Sequence, residues 1–537
     1  MKKELCFGKT TALLSATAFL ALAGAISAQA AGWTQQNGQW YYYDNTGSAA
    51  TNEWKKSGNY WFYLGDDGTM LRDSIIDDGE NFYYVNEDGA MSVNRWIVTD
   101  PEVIGADGNE PVYLYLGSNG RAVKKSSSSD SAFLKRVIDG KTYAFDENGR
   151  MLTGWVNEDG EMLDSSDGAA FAEAKYYFGE SNDGAMLTNS WFVFDNGYDA
   201  ESNVDNVNYE DYEQLWVYFG SGGQKVAASD DQETTEKTIN GQKYIFDQNG
   251  AMLSEWILAS PSDAALSTPS NIRYFSESMD GHLKKNRWIY AVPDEEMDGT
   301  DFADDQQRWF YSGSSGKIYR NEIRKINGKR YIFDENGIMK SGFVLTDANG
   351  DVIGTIDREA VEHSDFIDGS AAEQIDGNNL YYFGADEAKD GAMQSGKSVK
   401  IELSDDTWTF GFASNGKAYG TDGVELVSSR YYQNGLLLSA DRDCKYGVVK
   451  DAGEKLVVVN TSGAKQSGTK TLKDGNDGYL LLKDGAFFAY EEAEQKPVYA
   501  NGSYYEYDAD AQGKRGDEIA EDSDGSTLPE EMKLNFD

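Results

Sequence analysis

Aromatic residues recur in this chain at a fixed interval, and that interval confines the fold. Trp33, Trp54, Ile75 and Trp96 stand 21 residues apart. Trp40, Trp61 and Phe82 follow seven residues after the first three, and Gly47, Gly68 and Gly89 seven after those. Met70 and Met91 lie two residues beyond their glycines, with Ala49 at that place in the first unit. A unit with one short aromatic run and a turn glycine cannot bury its apolar face alone. It has to stack on copies of itself.

Beyond Trp96 the units carry insertions and cycle through three hairpin types. The first runs Ile138 to Met151 and recurs as Ile239 to Met252 and Ile326 to Met339. The second contains Phe82-Tyr83-Tyr84, Tyr176-Tyr177-Phe178 and Tyr274-Phe275, with a weaker copy at Tyr381-Tyr382-Phe383. The third begins at Tyr113, Trp216, Trp309 and Trp408. In each, a short aromatic strand alternates its side chains between two faces, and Asn-Gly, Asp-Gly or Gly-Gly supplies a positive-φ turn. A lone hairpin is marginal in water, so the stability must come from stacking. The methionine after each turn is expected to plug the space between neighbours. The insertions Thr99–Pro111, Asp195–Glu213, Ala259–Asn271 and Val292–Gln307 are acidic and polar and are expected to be solvated loops. The expected fold class is all-β, a solenoid of stacked β-hairpin repeats over residues 31–420. A β-rich C-terminal region of diverged repeats follows over 421–514, and an acidic, disordered tail over 515–537.

Charge and composition exclude several functions. With 91 Asp+Glu against 48 Lys+Arg, the net charge of −43 repels phosphate backbones, so nucleic acid is not expected as a partner. Two Cys and two His leave little room for a zinc site or a Cys/His nucleophile, so no metal and no cofactor are expected. Residues 1–30 read as a secretory signal: Lys2, Lys3 and Lys9, an apolar run from Thr11 to Ile26, then Ala28-Gln29-Ala30 as cleavage site. Cleavage would leave Cys444 as a lone free or buried thiol. No other run is long and apolar enough to span a bilayer. No sorting signal of the LPxTG type with an apolar tail is present, so surface retention is expected to be non-covalent. His282 and His363, in or near polar segments, read as surface residues. Asp508-Ala-Asp510-Ala-Gln512-Gly513 starts like a calcium loop but has Ile519 at the twelfth position where Glu is needed.

The units Gly32-Trp33…Trp40-Tyr41-Tyr42…Gly47 and Trp54…Tyr60-Trp61-Phe62-Tyr63…Met70 resemble choline-binding, or cell-wall-binding, repeats of Gram-positive surface proteins. The Ile-Asn/Asp-Gly-Lys…Phe-Asp-Glu-Asn-Gly…Met units are similar to repeats of glucan-binding domains. The resemblance covers roughly residues 32–420 and implies ligands held between consecutive hairpins. In the choline-binding branch two aromatics of one hairpin and one of the next enclose the quaternary ammonium through cation–π attraction. Carried onto this sequence, one cage is Trp33 and Trp40 with Tyr63, and a second is Trp54 and Trp61 with Tyr84. Tyr42 shares a face with Trp40, and Trp96 opens the next unit. In the third unit Ile75 and Phe82 stand where two Trp are expected. In the first hairpin type the second cage position is Thr142, Lys243 or Arg330, and a cation there repels choline.

Taken together, these features point to a non-enzymatic, secreted surface protein. It is expected to bind a wall polymer, either choline-bearing teichoic acid or wall glycan. An extracellular glucan- or host-glycan-binding adhesin is the second reading, and a wall hydrolase with a C-terminal catalytic part the third. Carboxylate pairs are common in the sequence and read as turn and surface acids.

Overall fold

The computed structural model describes residues 31–164, 170–196, 209, 212–258, 271–384 and 391–536. The export segment and parts of the insertions at 195–213 and 259–271 lie outside the described residues. The chain forms two compact units, Met1–Leu253 and Ser254–Asp537, a division inside the 31–420 array rather than at its end. Among the described residues the first unit holds eight antiparallel hairpins. Their strands are Gly32–Gln36/Gln39–Tyr43, Glu53–Ser57/Tyr60–Leu64, Ser74–Asp77/Phe82–Val85, Arg95–Thr99/Val112–Leu116, Leu134–Ile138/Lys141–Phe145, Gly154–Val156/Tyr176–Phe178, Ser190–Asp195/Gln214–Phe219 and Thr234–Ile239/Gln242–Asp247. The second unit continues with hairpins 9 to 13. These are Glu255–Ile257/Arg273–Phe275, Arg287–Ala291/Arg308–Ser312, Glu322–Ile326/Lys329–Phe333, Gly342–Thr346/Asn379–Phe383 and Gly396–Glu402/Thr407–Phe412. The array is therefore all-β and built of stacked hairpins, as the repeat spacing predicts.

Turn chemistry closes the hairpins. Asp139-Gly140, with φ of 49° and 82°, is a type I′ turn, and Asn37-Gly38, Asn240-Gly241 and Asn327-Gly328 repeat it. A second turn follows many of the hairpins, and in several an Asp or Asn side chain caps its backbone. Asp44 Oδ1 accepts from the N–H of Thr46 at 2.8 Å and of Ser48 at 3.0 Å. The hydrogen bond from the Thr46 hydroxyl, with these backbone donors, holds the Asp44 carboxyl below its ordinary value. Many of the acidic residues are thus turn acceptors that the fold uses.

Strand register decides which side chains meet the next unit. In hairpin 2, Trp54 stands opposite Tyr63 and Lys56 opposite Trp61, while Phe62 and Leu64 pair with Lys55 and Glu53 on the other face. Phe62 and Leu64 pack on Trp33, Trp40 and Tyr42 of hairpin 1. Trp54 and Tyr63 pack on Ile76, Tyr83 and Val85 of hairpin 3. Each unit thus offers one face backwards and the other forwards.

The residue after the second turn stitches neighbours together. Met70 N–H donates to Trp40 O at 2.7 Å, Met91 to Trp61 O at 2.8 Å and Met151 to Tyr113 O at 2.9 Å. In the second unit Met393 N–H donates to Arg330 O and Ala418 to Leu380 O, both at 2.8 Å. Each methionine then enters the next turn. A Cβ on Gly120 would stand 2.6 Å from Met91 Sδ, and one on Gly223 2.4 Å from Met186 Sδ. The plugging role predicted for these methionines is what the structure shows.

Lys225 occupies a methionine position in hairpin 7. Its ammonium donates to Phe171 O and, at 3.3 Å, to Ala172 O. Burial pushes its pKa down to about 7, against the attraction of Asp247. An unfolded lysine titrates near 10.4. Between these values the unfolded chain binds the extra proton, so stability rises with pH through that window and the cost is fully present below it. Lys225→Met is expected to raise stability at pH 7 by about 1–2 kcal/mol, the scale of relieving one badly placed charge. It should also flatten the pH 7–10 slope. Urea unfolding at several pH values checks both.

The C-terminal region is ordered throughout its described length. Glu425–Val427, Arg430–Gln433 and Leu436–Leu437 join hairpin 13 in a five-stranded sheet. Tyr446–Lys450/Leu456–Asn460 form another hairpin, and Lys465 N–H donates to Ser429 O at 2.9 Å. That is the same stitch that joins neighbouring hairpins of the array. The expected disorder of the tail is overturned. Arg515–Glu518 add a strand beside Ser503–Tyr507, and Leu528 and the fully buried Met532 enter the core around Val448, Val458 and Leu480. Sparse apolar residues suffice because these few land on a sheet face that is otherwise open.

Candidate functional site

Five gaps between hairpins are walled by aromatics at equivalent positions. Between hairpins 2 and 3, Trp54 meets Tyr63 at 5.1 Å and Tyr83 at 5.2 Å between ring centroids, with Trp61 exposed at the rim. Between hairpins 7 and 8, Trp191 lies 6.2 Å from Trp216 and 4.9 Å from Tyr244. Between hairpins 10 and 11, Trp288 lies 6.1 Å from Trp309 at 89° and 4.8 Å from Tyr331. Between hairpins 4 and 5, Trp96 meets Tyr115 at 5.1 Å and Tyr143 at 4.9 Å, with Tyr113 in the place of the second Trp. Between hairpins 1 and 2, Trp33 meets Tyr42 at 5.5 Å and Phe62 at 5.4 Å beside Trp40. Aromatic rings gathered in a gap can attract a compact cation through their π-faces.

The partners expected for the first two cages are corrected by the register. Tyr63 does not complete the Trp33/Trp40 gap. It faces Trp54 on the far side of its own strand, and Phe62 takes its place. Tyr84 likewise does not complete the Trp54/Trp61 gap, where Tyr83 stands instead. Adjacent residues of a strand point to opposite faces, so a one-residue error moves the side chain into the next gap. Tyr84 lies with Ile75 in the gap between hairpins 3 and 4. Its hydroxyl donates to Asp73, and burial followed by that bond pushes the phenol up to about 12.

Two cages were missed by sequence reading. Trp216 and Trp309 begin the third hairpin type, but insertions separate them from Trp191 and Trp288, which they join in space. The signal is an opening Trp, a polar insertion, then Trp-x-Tyr.

The insertions also depart from expectation, because they are more than solvated loops. Ile104, in the short helix Pro101–Ile104, fills the gap between hairpins 3 and 4. Phe171, from α1 (Ala170–Glu173), and Tyr209 fill the gap between hairpins 6 and 7 beside Trp155. Met297, just before α2 (Gly299–Ala303), fills the gap between hairpins 9 and 10, where Trp256 Nε1 donates to Val292 O at 2.7 Å. Phe366 does the same between hairpins 12 and 13, packed against Phe343 and edge-on to Phe410, ahead of α3 (Ser370–Ile375). Every third gap among the described residues is thus closed by the chain itself, with Trp155 and Trp256 packed inside two of them.

The two histidines have carboxylate partners that the sequence reading lacked. His282 Nδ1 lies 2.8 Å from Asp280. His363 Nδ1 lies 2.6 Å from Asp405, and its ring stacks on Trp408 at 3.8 Å. Burial works against the Asp405 carboxylate, but the bond from His363 and its charge hold it below its ordinary value. Cys444 is free and buried, with its thiol pushed up by burial and then by nearby acids, Glu531 first. Among the described residues no group of three or more His, Cys, Asp or Glu converges on a metal position, and no helix is long and apolar enough to cross a membrane.

The repeats are similar to those of known proteins. The choline-binding repeat model matches residues 48–90, and a cell wall binding repeat model matches residues 31–49. Glucosyltransferase-S of Streptococcus mutans is 26% identical over 364 residues, covering 65% of this chain and 20% of that protein. The chain therefore spans about a fifth of the length of this curated relative. Choline binding protein F of Streptococcus pneumoniae is 17% identical over 73% of this chain and 99% of its own, with a TM-score of 0.31. The modular autolysin LytC of the same organism is 20% identical over 60% of this chain and 53% of its own, with a TM-score of 0.26. Residues 31–90 thus carry repeats of the choline-binding, or cell-wall-binding, type, and the hairpins that follow continue their pattern.

Proposed function

We propose that this is an exported, non-enzymatic surface protein that holds to the bacterial wall by binding choline-bearing polymer in its aromatic gaps. The observation that carries the reading is the recurrence of one cage. A Trp meets an aromatic of the next hairpin at Trp54/Tyr83, Trp191/Tyr244 and Trp288/Tyr331, with a second Trp (Trp61, Trp216 or Trp309) on the same hairpin face. A quaternary ammonium needs several π-faces and no hydrogen-bond acceptor, which is what these walls offer. The net charge of −43 favours a cationic ligand as well. Several weak sites in one chain give retention by avidity.

The test is retention of the processed chain on choline-bearing walls or a choline resin. Elution by free choline, and not by glucose oligomers, is the expected result. The second reading, glucan binding, is favoured by the likeness to glucosyltransferase-S over 65% of this chain. Retention on dextran that choline does not disturb would establish that reading and end the first.

A further inference from the structure

Hairpins 5, 8 and 11 share one sequence type, and none carries aromatics at the cage positions. On the face equivalent to Trp54/Trp61/Tyr63, hairpin 5 presents Lys135 and Thr142, hairpin 8 presents Glu236 and Lys243, and hairpin 11 presents Lys325 and Arg330. The first two dispose of their cation internally. Lys135 Nζ lies 4.6 Å over the Tyr176 ring and donates to Gly222 O at 3.0 Å. Lys243 pairs with Glu236 across the strands. Hairpin 11 has no such acid on that face. Its one acid, Glu322, pairs with Arg324 on the opposite face at 2.7 Å. Lys325 and Arg330 form no ion pair among the described residues.

These two cations open onto a cavity of about 460 Å³. Its wall continues with Lys329, Gln394, Ser395 and Ser414. Arg330 is fixed at two points: its Nη1 donates to Ser414 O at 3.2 Å, and its carbonyl accepts from Met393 N–H at 2.8 Å. From this geometry we infer a second ligand site, for a phosphate group, in the gap between hairpins 11 and 12. It lies at the position that elsewhere in the array holds choline's aromatic walls, and it goes beyond the choline reading without resting on it. Guanidinium and ammonium groups around one space, with hydroxyls beside them, are the donor set of a phosphate pocket. The net negative charge of the chain does not forbid it, because charges beyond about 8 Å are largely screened at physiological salt while those in the pocket act directly. A polymer whose repeating unit carries both a cationic and a phosphate group would engage both kinds of gap.

The experiment is titration of the processed full-length chain at low ionic strength, followed by calorimetry or ³¹P line broadening. Inorganic phosphate and a glycerol-phosphate oligomer are the two probes. Saturable binding is expected, weakened about tenfold or more in Lys325→Gln/Arg330→Gln, with choline elution unchanged. Lys237→Gln, in hairpin 8, controls for loss of one positive charge and should bind as wild type. Both probes binding equally assigns the site to the phosphate group itself, and tighter binding of the oligomer assigns it to a polymer. Equal binding by wild type and the double variant, or no binding to either probe, overturns the proposal. Asp386, Glu387 and Asp390 precede this wall in sequence. If phosphate binds only when all three are neutralised, the pocket serves the chain's own acids and the proposal fails.

Discussion

The double variant Trp216→Ala/Trp309→Ala is expected to lose choline binding in two gaps and to leave the wall at lower free choline than wild type. Each substitution removes one of the three walls around the ammonium. Cation–π attraction is worth about 0.5–2 kcal/mol, so each site should weaken roughly 2- to 30-fold. The loss is multiplied in retention, because several sites hold one polymer. Trp309 is 44% exposed, so its removal should leave folding almost intact. Choline-dependent tryptophan fluorescence and the choline concentration needed for elution are the two readouts. Trp155→Ala is the contrasting variant. Trp155 is buried and packs on Tyr177, Phe192 and Phe194 in a gap closed by Phe171. It should lower the stability of the first unit by about 3–5 kcal/mol and leave the affinity of the other gaps unchanged. Unchanged choline affinity in Trp216→Ala/Trp309→Ala would remove these gaps from the binding surface.

Gly475→Ala is expected to be among the most damaging single substitutions in the C-terminal region. A Cβ there would stand 1.4 Å from the Asp443 carbonyl oxygen, so backbone has to separate from backbone. The Gly475 N–H donates to Cys444 O at 3.2 Å, and that bond would be lost with the separation. The neighbouring Asp474 is buried, accepts from Gly478 N–H at 2.7 Å and from the Tyr490 hydroxyl at 2.8 Å, and would be pulled with it. Overpacking and a broken buried network together set the cost at about 3 kcal/mol or more. Gly468→Ala is the control. It has φ of 78° but open space around it, so only the left-handed strain of about 1 kcal/mol applies. Equal unfolding midpoints for the two variants would refute the argument.

Much of the fold was legible because it is local. Asn-Gly and Asp-Gly pairs set the turns, alternation set the strand faces, and the methionine two residues past each turn glycine marked the contact with the next unit. The cages were half legible. The two Trp of a hairpin could be read from spacing, as at Trp54 and Trp61. Their third wall could not, because it depends on which face the following hairpin turns back. Tyr83 and Tyr84 are equally aromatic in the sequence, and only stacking distinguishes them. His363 and Asp405 stand 42 residues apart, and no short-range pattern joins them.

The sequence by itself determined the hairpin unit, its turns and the identity of the aromatic positions, since these follow from interactions a few residues long. Tertiary structure alone decided which gaps stay open. Ile104 and Met297 come from insertions whose composition reads as solvent-exposed, and Phe171 and Phe366 from further polar loops between strands. One apolar side chain in such a loop carries no periodic signal, yet the unfilled space between two hairpins gives it a place to bury. The same physics ordered the tail through Leu528 and Met532. It also left Lys325 and Arg330 facing a cavity, where the cations on the same face of hairpins 5 and 8 are already partnered.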